Sequence, residues 1–252
     1  MRKMLKKLNR FLNVGINYAS RALILSDYFA FRKMSARNPR FTALWKDLYP
    51  QVREKTKTTS FDRHYVYHTA WAARKVREIH PSMHVDVASS LYFCTIISAF
   101  VPVRFYDYRP PLLELPNLEV LPGDLMKLPF RDGEVSSLSC MHTVEHVGLG
   151  RYGDPIDPDG DLKAIQELKR VLAPGGSLLF VTPVGKPKVM FNAHRIYSFS
   201  QIMEYFSDLE LKEFSLIPEF SENGIGIITH ATRAQADREN YGCGCFWFMK
   251  KR

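Results

Sequence analysis

Cysteine is scarce in this 252-residue chain, which has only four. Cys94 and Cys140 lie in apolar stretches, where a free thiol behaves as a small hydrophobic side chain. Cys243 and Cys245 lie two residues apart on a predicted strand, without the second Cys pair of a typical metal or redox motif. We therefore expect no disulfide framework and a reducing, cytoplasmic location; a metal or redox role for Cys243 and Cys245 is the alternative.

Long apolar runs are also missing. The longest, residues 91–103, is shorter than the ~20 residues that a helix needs to span a bilayer. The basic start of the chain is not followed by an uninterrupted apolar region and a small-residue cleavage site, so the sequence predicts no secretory signal.

Acidic residues are rare in the first 60 residues, which contain 14 Lys or Arg and 3 Asp or Glu, a formal charge of +11. Met1, Leu5 and Leu8 recur at helical spacing with lysines between them, which predicts a basic amphipathic helix. Such a helix favours peripheral contact with the inner face of an anionic membrane through residues 1–30, and a helix docked on the protein is the alternative. A nucleic-acid partner is not favoured, because no recognition motif accompanies the charge.

Strand and helix signals alternate after a basic helical extension, which we assign to residues 1–80. This alternation through residues 81–252 predicts an open α/β sheet. A Pro-Gly-Gly sequence after the predicted helix Asp161–Leu172 indicates a helix end followed by an apolar strand. The predicted strands are His84–Ala88, Val103–Asp107, Leu118–Leu121, Val135–Met141, Ser177–Thr182, Leu209–Ile217 and Gly244–Lys250.

Three aspartates accompany the first three predicted strands. Asp86 lies in the first strand, Asp107 ends the second, and Asp124 follows the third. Because open α/β sheets bind ligands at the carboxyl ends of their strands, we expect these carboxylates to face one pocket. At that position Asp107 could accept hydrogen bonds from ribose hydroxyls, and Asp124 could accept one from an adenine amino group.

The order of these aspartates, the segment Met141–Val147 and the segment Leu168–Pro183 resembles the class I S-adenosylmethionine-dependent methyltransferases over residues 82–252. The resemblance implies a Rossmann-like, seven-stranded mixed sheet with helices on both faces and a pocket for S-adenosylmethionine. Carried over position by position, the expected cofactor-binding residues are Asp86, Ala88, Ser89, Ser90, Asp107, Tyr108, Asp124, Leu125 and Met141.

The segment Glu145–Pro155 is similar to an uncharacterised methyltransferase-like family. That family is associated with bacterial surface-polysaccharide synthesis and also occurs in nematodes. This resemblance implies a sugar or glycan acceptor and does not identify it.

The loop after the first strand departs from the superfamily pattern. Ala88, Ser90 and Tyr92 occupy the positions of the usual Gly-x-Gly-x-Gly, although glycine would let the backbone approach a ligand closely. We expect Ser89 or Ser90 to cap the next helix, whose N-terminus offers backbone donors to a carboxylate.

Histidines follow the fourth predicted strand in the sequence Met-His-Thr-Val-Glu-His. His146, and after it His142, are the candidate general bases for an acceptor hydroxyl. If this segment is helical, His142, Glu145 and His146 share one face and could bind a divalent metal with His194 as a further ligand. The alternative is a structural exit from the strand without a metal. In the acidic loop that follows, Arg151 and Tyr152 are candidates for holding a sugar or a phosphate.

The sequence therefore predicts an S-adenosylmethionine-dependent methyltransferase that modifies an oxygen of a sugar in a surface glycan or its precursor. The alternative is a non-catalytic methyltransferase-like module recruited to a membrane-associated assembly for glycan synthesis. The altered glycine loop and the basic extension motivate that alternative.

Overall fold

The computed structural model describes residues 22–37, 40–52, 54–220, 224 and 226–252. The predicted amphipathic helix at Met1–Leu12 lies outside the described residues. The chain divides into two compact units, residues 1–61 and 62–252. None of the helices described in these ranges combines the length and apolarity needed to cross a membrane.

The first unit contains the helix α1, Leu25–Ser35, and a 3₁₀ turn at Trp45–Asp47. The Tyr28 ring is buried and packs edge-on against Trp45, with ring centroids 5.7 Å apart. Its hydroxyl donates to the Ala43 carbonyl at 3.2 Å. Large apolar side chains nevertheless remain exposed on this unit, namely Leu23, Phe29, Phe31, Met34, Phe41, Leu44, Trp45 and Tyr49.

The second unit is built on a seven-stranded sheet with the strand order β3-β2-β1-β4-β5-β9-β8. Strands β1 to β5 run parallel, and β9 is antiparallel to both β5 and β8. A separate two-stranded hairpin, β6 and β7, was not predicted; its first strand is short and exposed. The strands are β1 His84–Val87, β2 Val103–Asp107, β3 Leu118–Pro122, β4 Val135–Met141, β5 Leu172–Val184, β6 Lys188–Met190, β7 His194–Ile196, β8 Leu209–Ile217 and β9 Gly242–Lys250.

Helices cover both faces of this sheet because each central strand is apolar on both sides. Along β5, Leu178 and Phe180 belong to one buried cluster, whereas Leu179 and Val181 belong to the other. The helices of the unit are α2 Arg63–Ile79, α3 Leu91–Ile97, α4 Gly160–Val171, α5 Phe199–Tyr205 and α6 Arg233–Ala236. The predicted mixed sheet with helices on both faces is confirmed.

The helix α2 belongs to the sheet unit, although the predicted boundary between residues 80 and 81 places it in the extension. The indole N–H of Trp71 in this helix donates to the Glu213 carboxylate of β8 at 3.0 Å, and Lys75 forms an ion pair with the same carboxylate at 2.6 Å. Asp62 caps the helix by accepting from the Tyr65 N–H. Basic residues continue along the extension up to this helix. The apolar face of α2, however, packs with the sheet unit.

The Pro-Gly-Gly sequence lies inside β5 and does not form the cap of the preceding helix. Helix α4 ends at Val171, and Leu172 already has extended backbone angles of φ −66° and ψ 126°. The strand passes through Gly175 at φ +75° before it resumes pairing with β4 at Ser177. The expected succession of helix and strand is therefore correct, but the strand starts earlier than predicted.

Candidate active site

A cavity of about 300 Å³ lies at the carboxyl ends of β1 to β4. It has an aspartate side, formed by the ends of β1, β2 and β3, and a histidine side, formed by the segment that leaves β4. Seven of the predicted site residues line it: Ala88, Asp107, Tyr108, Asp124, Leu125, His142 and His146. Open α/β sheets bind ligands at this edge, so the expected convergence occurs.

On the aspartate side, local backbone bonds hold both carboxylates in place. One Asp107 oxygen accepts from the Arg109 N–H at 2.7 Å, and one Asp124 oxygen accepts from the Met126 N–H at 2.9 Å. Gly123, which directly precedes Asp124, is tightly enclosed, because a Cβ there would lie 3.0 Å from the Tyr106 side chain. Each carboxylate is thus fixed by a turn of its own strand end.

Asp86 does not line the cavity, contrary to the predicted contact with the cofactor. Its carboxylate is fully buried and accepts from the Ser89 N–H at 3.0 Å and from the Ser139 hydroxyl. Burial raises the pKa of Asp86 to about 6, against the lowering effect of these hydrogen bonds. Asp86 therefore shapes the loop that borders the cavity.

The loop after β1 reaches a glycine-like conformation without glycine. Ala88 lies in the left-handed region at φ 54°, and its carbonyl accepts from the Thr143 hydroxyl at 2.9 Å. The Ser89 hydroxyl accepts from the N–H of the buried Met141 at 2.9 Å and so joins the loop to β4. Neither Ser89 nor Met141 lines the cavity.

The expected capping by Ser89 or Ser90 is not found. Ser90 is the N-cap of α3, but its side chain makes no capping hydrogen bond, and the Ser89 hydroxyl is engaged with β4. Tyr92, which stands where the superfamily has glycine, is 81% exposed. As a residue of α3 it points to solvent, so its ring does not fill the cavity.

On the histidine side, His142 is held from both of its ring nitrogens. Its Nδ1 lies 2.8 Å from a Glu145 carboxylate oxygen, and its Nε2 lies 3.3 Å from the Cys243 sulfur of β9. The residue is buried, with φ 54°. Burial lowers the pKa of His142 to about 4, so the ring is neutral at neutral pH.

His146 is held through its Nδ1, and its Nε2 lies 3.5 Å from a guanidinium nitrogen of Arg151. Its Nδ1 lies 2.6 Å from the Ala193 carbonyl, an acceptor that requires a proton on Nδ1 and leaves the lone pair on Nε2. Arg151 donates to the same carbonyl at 3.1 Å. Burial is the main cause that lowers the pKa of His146, and Glu145 opposes it. A neutral imidazole is the form that accepts a proton.

Glu145 connects the two histidines. One oxygen contacts His142 as described and lies 3.9 Å from His146 Nε2. The other oxygen is buried and has no hydrogen-bond partner within the part of the chain that the structure describes. Burial raises the pKa of Glu145 to about 7.

Of the predicted metal ligands, Glu145 contacts His142 and lies 3.9 Å from His146, but the four do not form one group of converging ligand atoms within the described residues. The segment Val144–His146 is a single 3₁₀ turn, so the helical spacing assumed for these side chains does not apply. The rings of His146 and His194 are 6.4 Å apart at their centroids.

A different group does converge on His142. The ligand atoms of His64, His142 and Cys243 all lie within 4.8 Å of one another, and among the described residues this is the one such group of three. His68 packs edge-on against His142 with centroids 5.0 Å apart. The sequence reasoning missed this group, although His64 and His68 have the i, i+4 spacing that places two imidazoles on one helix face.

The loop after His146 lines part of the cavity and is held by hydrogen bonds between side chains and its backbone. Asp154 accepts from the Gly148 N–H at 2.8 Å and from the Tyr152 N–H at 3.1 Å. Gly148 has φ +79°, and a Cβ there would lie 2.0 Å from the Asp157 carbonyl oxygen. Arg195 of β7 donates to carbonyls at both ends of this loop, at 2.7 and 3.1 Å.

Two arginines flank an aromatic ring at the cavity mouth. The guanidinium carbons of Arg109 and Arg151 lie 4.7 and 5.1 Å from the centroid of Tyr152. Tyr152 and Arg109 line the cavity. This arrangement places the Arg109 guanidinium in the cavity lining and the Arg151 guanidinium beside it.

Comparisons with known proteins agree with this architecture. Residues 133–240, less than half of the chain, match a family described as Caenorhabditis protein of unknown function, DUF268. No curated protein matches the sequence.

Solved structures resemble the fold at low sequence identity. One is the YcgJ protein from Bacillus subtilis, at 15% identity and a TM-score of 0.53, covering 74% of this chain and 99% of that one. Another is the N-methyltransferase NodS from Bradyrhizobium japonicum in complex with S-adenosyl-L-homocysteine, at 11% identity and a TM-score of 0.50, covering 74% and 89%. The protein therefore has the fold of the class I S-adenosylmethionine-dependent methyltransferases.

Proposed function

We propose that this protein is an S-adenosylmethionine-dependent methyltransferase that methylates an oxygen of a sugar in a surface glycan or its precursor. The observation that carries the proposal is the cavity lined by Asp107, Asp124 and the neutral imidazole of His146. A binding site and a candidate base thus occupy one cavity at the ligand-binding edge of the sheet.

The aspartate side fits the methyl donor. Asp107 ends the second strand, where a carboxylate can accept from ribose hydroxyls, and Asp124 follows the third, where it can accept from the adenine amino group. Ala88 takes the left-handed conformation at φ 54°, so the loop follows a path for which glycine is usually required. The likeness to NodS, which holds S-adenosyl-L-homocysteine, supports the same class of cofactor.

When bound, S-adenosylmethionine supplies a methyl group that its positively charged sulfur makes electrophilic. The protein's own contribution is to align the acceptor hydroxyl and to remove its proton. His146 Nε2 is suited to that task, because Nδ1 is tied to the Ala193 carbonyl and the ring is neutral.

The cavity mouth supports an anionic acceptor. Arg109 and Arg151 flank the ring of Tyr152, and guanidinium groups bind phosphate or carboxylate oxygens in pairs. A sugar phosphate or a nucleotide sugar combines such an anion with free hydroxyls. The choice of a sugar rests on the sequence resemblance of the segment Glu145–Pro155.

The donor site is tested by calorimetry with S-adenosylmethionine on the full chain. We expect saturable binding, weakened at least about tenfold in Asp107→Ala because one or two charge-assisted hydrogen bonds are lost. Glu119→Ala is the matched control, since this carboxylate forms a surface ion pair with Arg104 and should leave the affinity unchanged. Absence of binding to the folded wild-type chain would overturn the enzyme proposal and favour the non-catalytic module.

The acceptor class is tested by transfer of a labelled methyl group to a panel of sugar phosphates and nucleotide sugars. Unphosphorylated sugars and small RNAs serve as the comparison. Transfer that requires both the sugar and the phosphate supports the proposal. Transfer to RNA alone, or equal transfer to neutral sugars, would contradict it.

We also propose peripheral contact with the inner face of the membrane through residues 1–30. Within the described part of this segment, Leu23 and Phe29 expose 71% and 57% of their surface. Exposed apolar side chains in a basic segment are typical of interfacial binding. In flotation with anionic liposomes, the full chain should float and a chain without residues 1–30 should not; equal flotation would reject the contact.

A further inference from the structure

The cluster formed by His64, His142 and Cys243 has the composition of a transition-metal site. A thiolate and imidazoles are the ligands that zinc prefers in proteins. The three residues come from the first turn of α2, the exit of β4 and the start of β9. Their ligand atoms lie within 4.8 Å of one another, and Cys243 Sγ lies 3.3 Å from His142 Nε2. A tetrahedral zinc ion places such atoms about 3.3–3.6 Å apart.

The surroundings of His142 provide a second, independent reason. Metal-binding histidines almost always use their other ring nitrogen to donate to a carboxylate or a carbonyl. His142 directs Nε2 to Cys243 and Nδ1 to the Glu145 carboxylate at 2.8 Å. With a metal bound at Nε2, this would be the carboxylate–histidine–metal arrangement, in which the Glu145 carboxylate fixes the orientation of the ring.

Charge balance points in the same direction. Glu145 is 1% exposed, and one of its oxygens has no hydrogen-bond partner among the residues that the structure describes. A buried carboxylate needs a compensating positive charge. A divalent cation, one thiolate and one carboxylate sum to zero.

We propose that His64, His142 and Cys243 bind one zinc ion, with Glu145 as the positioning residue for His142. On binding, the Cys243 thiol loses its proton to solvent and its sulfur bonds to the metal. Three protein ligands leave the fourth tetrahedral position for water or another small ligand. This set shares only His142 with the ligands predicted as His142, Glu145, His146 and His194.

The test is a titration of the chelator-treated full chain with Co²⁺, a spectroscopic probe for zinc sites. We expect one cobalt per chain, a thiolate-to-cobalt charge-transfer band, and loss of that band when Zn²⁺ is added. Cys243→Ser should abolish the band. Cys245→Ser is the matched control, because this thiol is equally buried on the same strand and is not part of the cluster, so the band should remain.

Two further variants keep the test decisive if Cys243→Ser fails to fold. His64→Ala, at the start of α2, should keep the thiolate band but weaken cobalt binding strongly. Glu145→Gln should also keep it, with an affinity about 10–100-fold lower, as expected for the loss of a carboxylate behind a histidine ligand. The proposal is overturned if the folded wild-type chain shows no band at millimolar cobalt, or if Cys243→Ser and Cys245→Ser behave alike.

Discussion

The two sides of the cavity are built in different ways. On the aspartate side, Asp107 and Asp124 are each fixed by a backbone N–H two residues further along the chain. On the histidine side, His142 is fixed by Cys243, which is 101 residues away, and His146 by the Ala193 carbonyl, 47 residues away.

This difference determines how each side responds to change. Local turns can form their bonds whenever the strand ends are in place, so the aspartate side depends mainly on its own short segments. The histidine side is formed by long-range contacts among buried polar groups, and such networks lose much when one member is left unpaired. We expect the chemistry and the acid sensitivity to be concentrated on the histidine side.

The largest effect is expected for His146→Ala. Removal of a general base typically lowers turnover by about 10²–10⁴-fold. His146 makes no contact predicted for the donor, and the aspartate side is built separately. The affinity for S-adenosylmethionine should therefore stay within about twofold of the wild-type value. Single-turnover methyl transfer and calorimetry on the same preparation measure both quantities. Unchanged turnover would remove His146 from the mechanism.

The second prediction concerns acid. Burial lowers the pKa of His64 and of His142 to about 4, and that of His68 to about 3, so the unfolded chain binds more protons than the folded one below about pH 6.5. Glu145 acts in the opposite direction, because burial raises its pKa to about 7. With three histidines against one carboxyl, stability should fall as the pH is lowered from about 6.5 to about 4.

Outside this group, the buried residues His84 and Asp86 have opposite effects on the pH dependence of stability. Burial lowers the pKa of His84 to about 3 and raises the pKa of Asp86 to about 6. Urea unfolding of the metal-free chain at several pH values measures the net effect. His68→Leu should reduce the slope of the free energy of unfolding against pH by the equivalent of about one bound proton. A free energy of unfolding that is constant from pH 6.5 to 4.5 would be incompatible with buried, neutral histidines.

The third prediction compares two glycines of the loop that follows His146. Gly148 and Gly153 both have positive φ, so alanine at either position costs about 1–2 kcal/mol of backbone strain. Only at Gly148 would the new Cβ also clash, 2.0 Å from the Asp157 carbonyl oxygen; at Gly153 it meets nothing within 4 Å. Gly148→Ala should therefore lower the free energy of unfolding clearly more than Gly153→Ala in denaturant titrations. Equal losses would show that the loop does not pack as described.

The smallest effect is expected on the aspartate side, for Ala88→Gly. Glycine removes the strain of φ 54°, about 1–2 kcal/mol, but the unfolded chain gains entropy worth about 0.4–1 kcal/mol. The net change should be a stabilisation of up to about 1 kcal/mol. Ala70→Gly, at a half-buried position in α2, is the control and should destabilise by about 1 kcal/mol, because that position is helical. A destabilised Ala88→Gly would indicate that the loop does not need the left-handed conformation.

Sequence reasoning was most successful where position along the chain determines position in space. Parallel strands end at one edge of a sheet, so the spacing of Asp107 and Asp124 sufficed to place both at the cavity. It could not show that Asp86 is buried beneath the loop, because a strand residue can point to either face. Nor could it show that Tyr92 points to solvent, which depends on the start of α3.

The histidine side could be predicted only in part. His142 and His146 were found because they follow a recognisable strand. Their partners Cys243 and Ala193 are distant in sequence, and spacing carries no information on such contacts. The segment Val144–His146 is a single 3₁₀ turn, so the helical condition on which the ligand prediction rested is not met.

The position of β9 also determines the order in which the protein can be completed during synthesis. This strand lies between β5 and β8, yet it follows every other strand in the chain. While a nascent chain emerges, β1 to β5 can pair, but β8 cannot join the seven-stranded sheet until β9 inserts. Cys243 arrives with that last strand, so a ribosome-bound chain with the aspartate side formed still lacks the thiol that contacts His142.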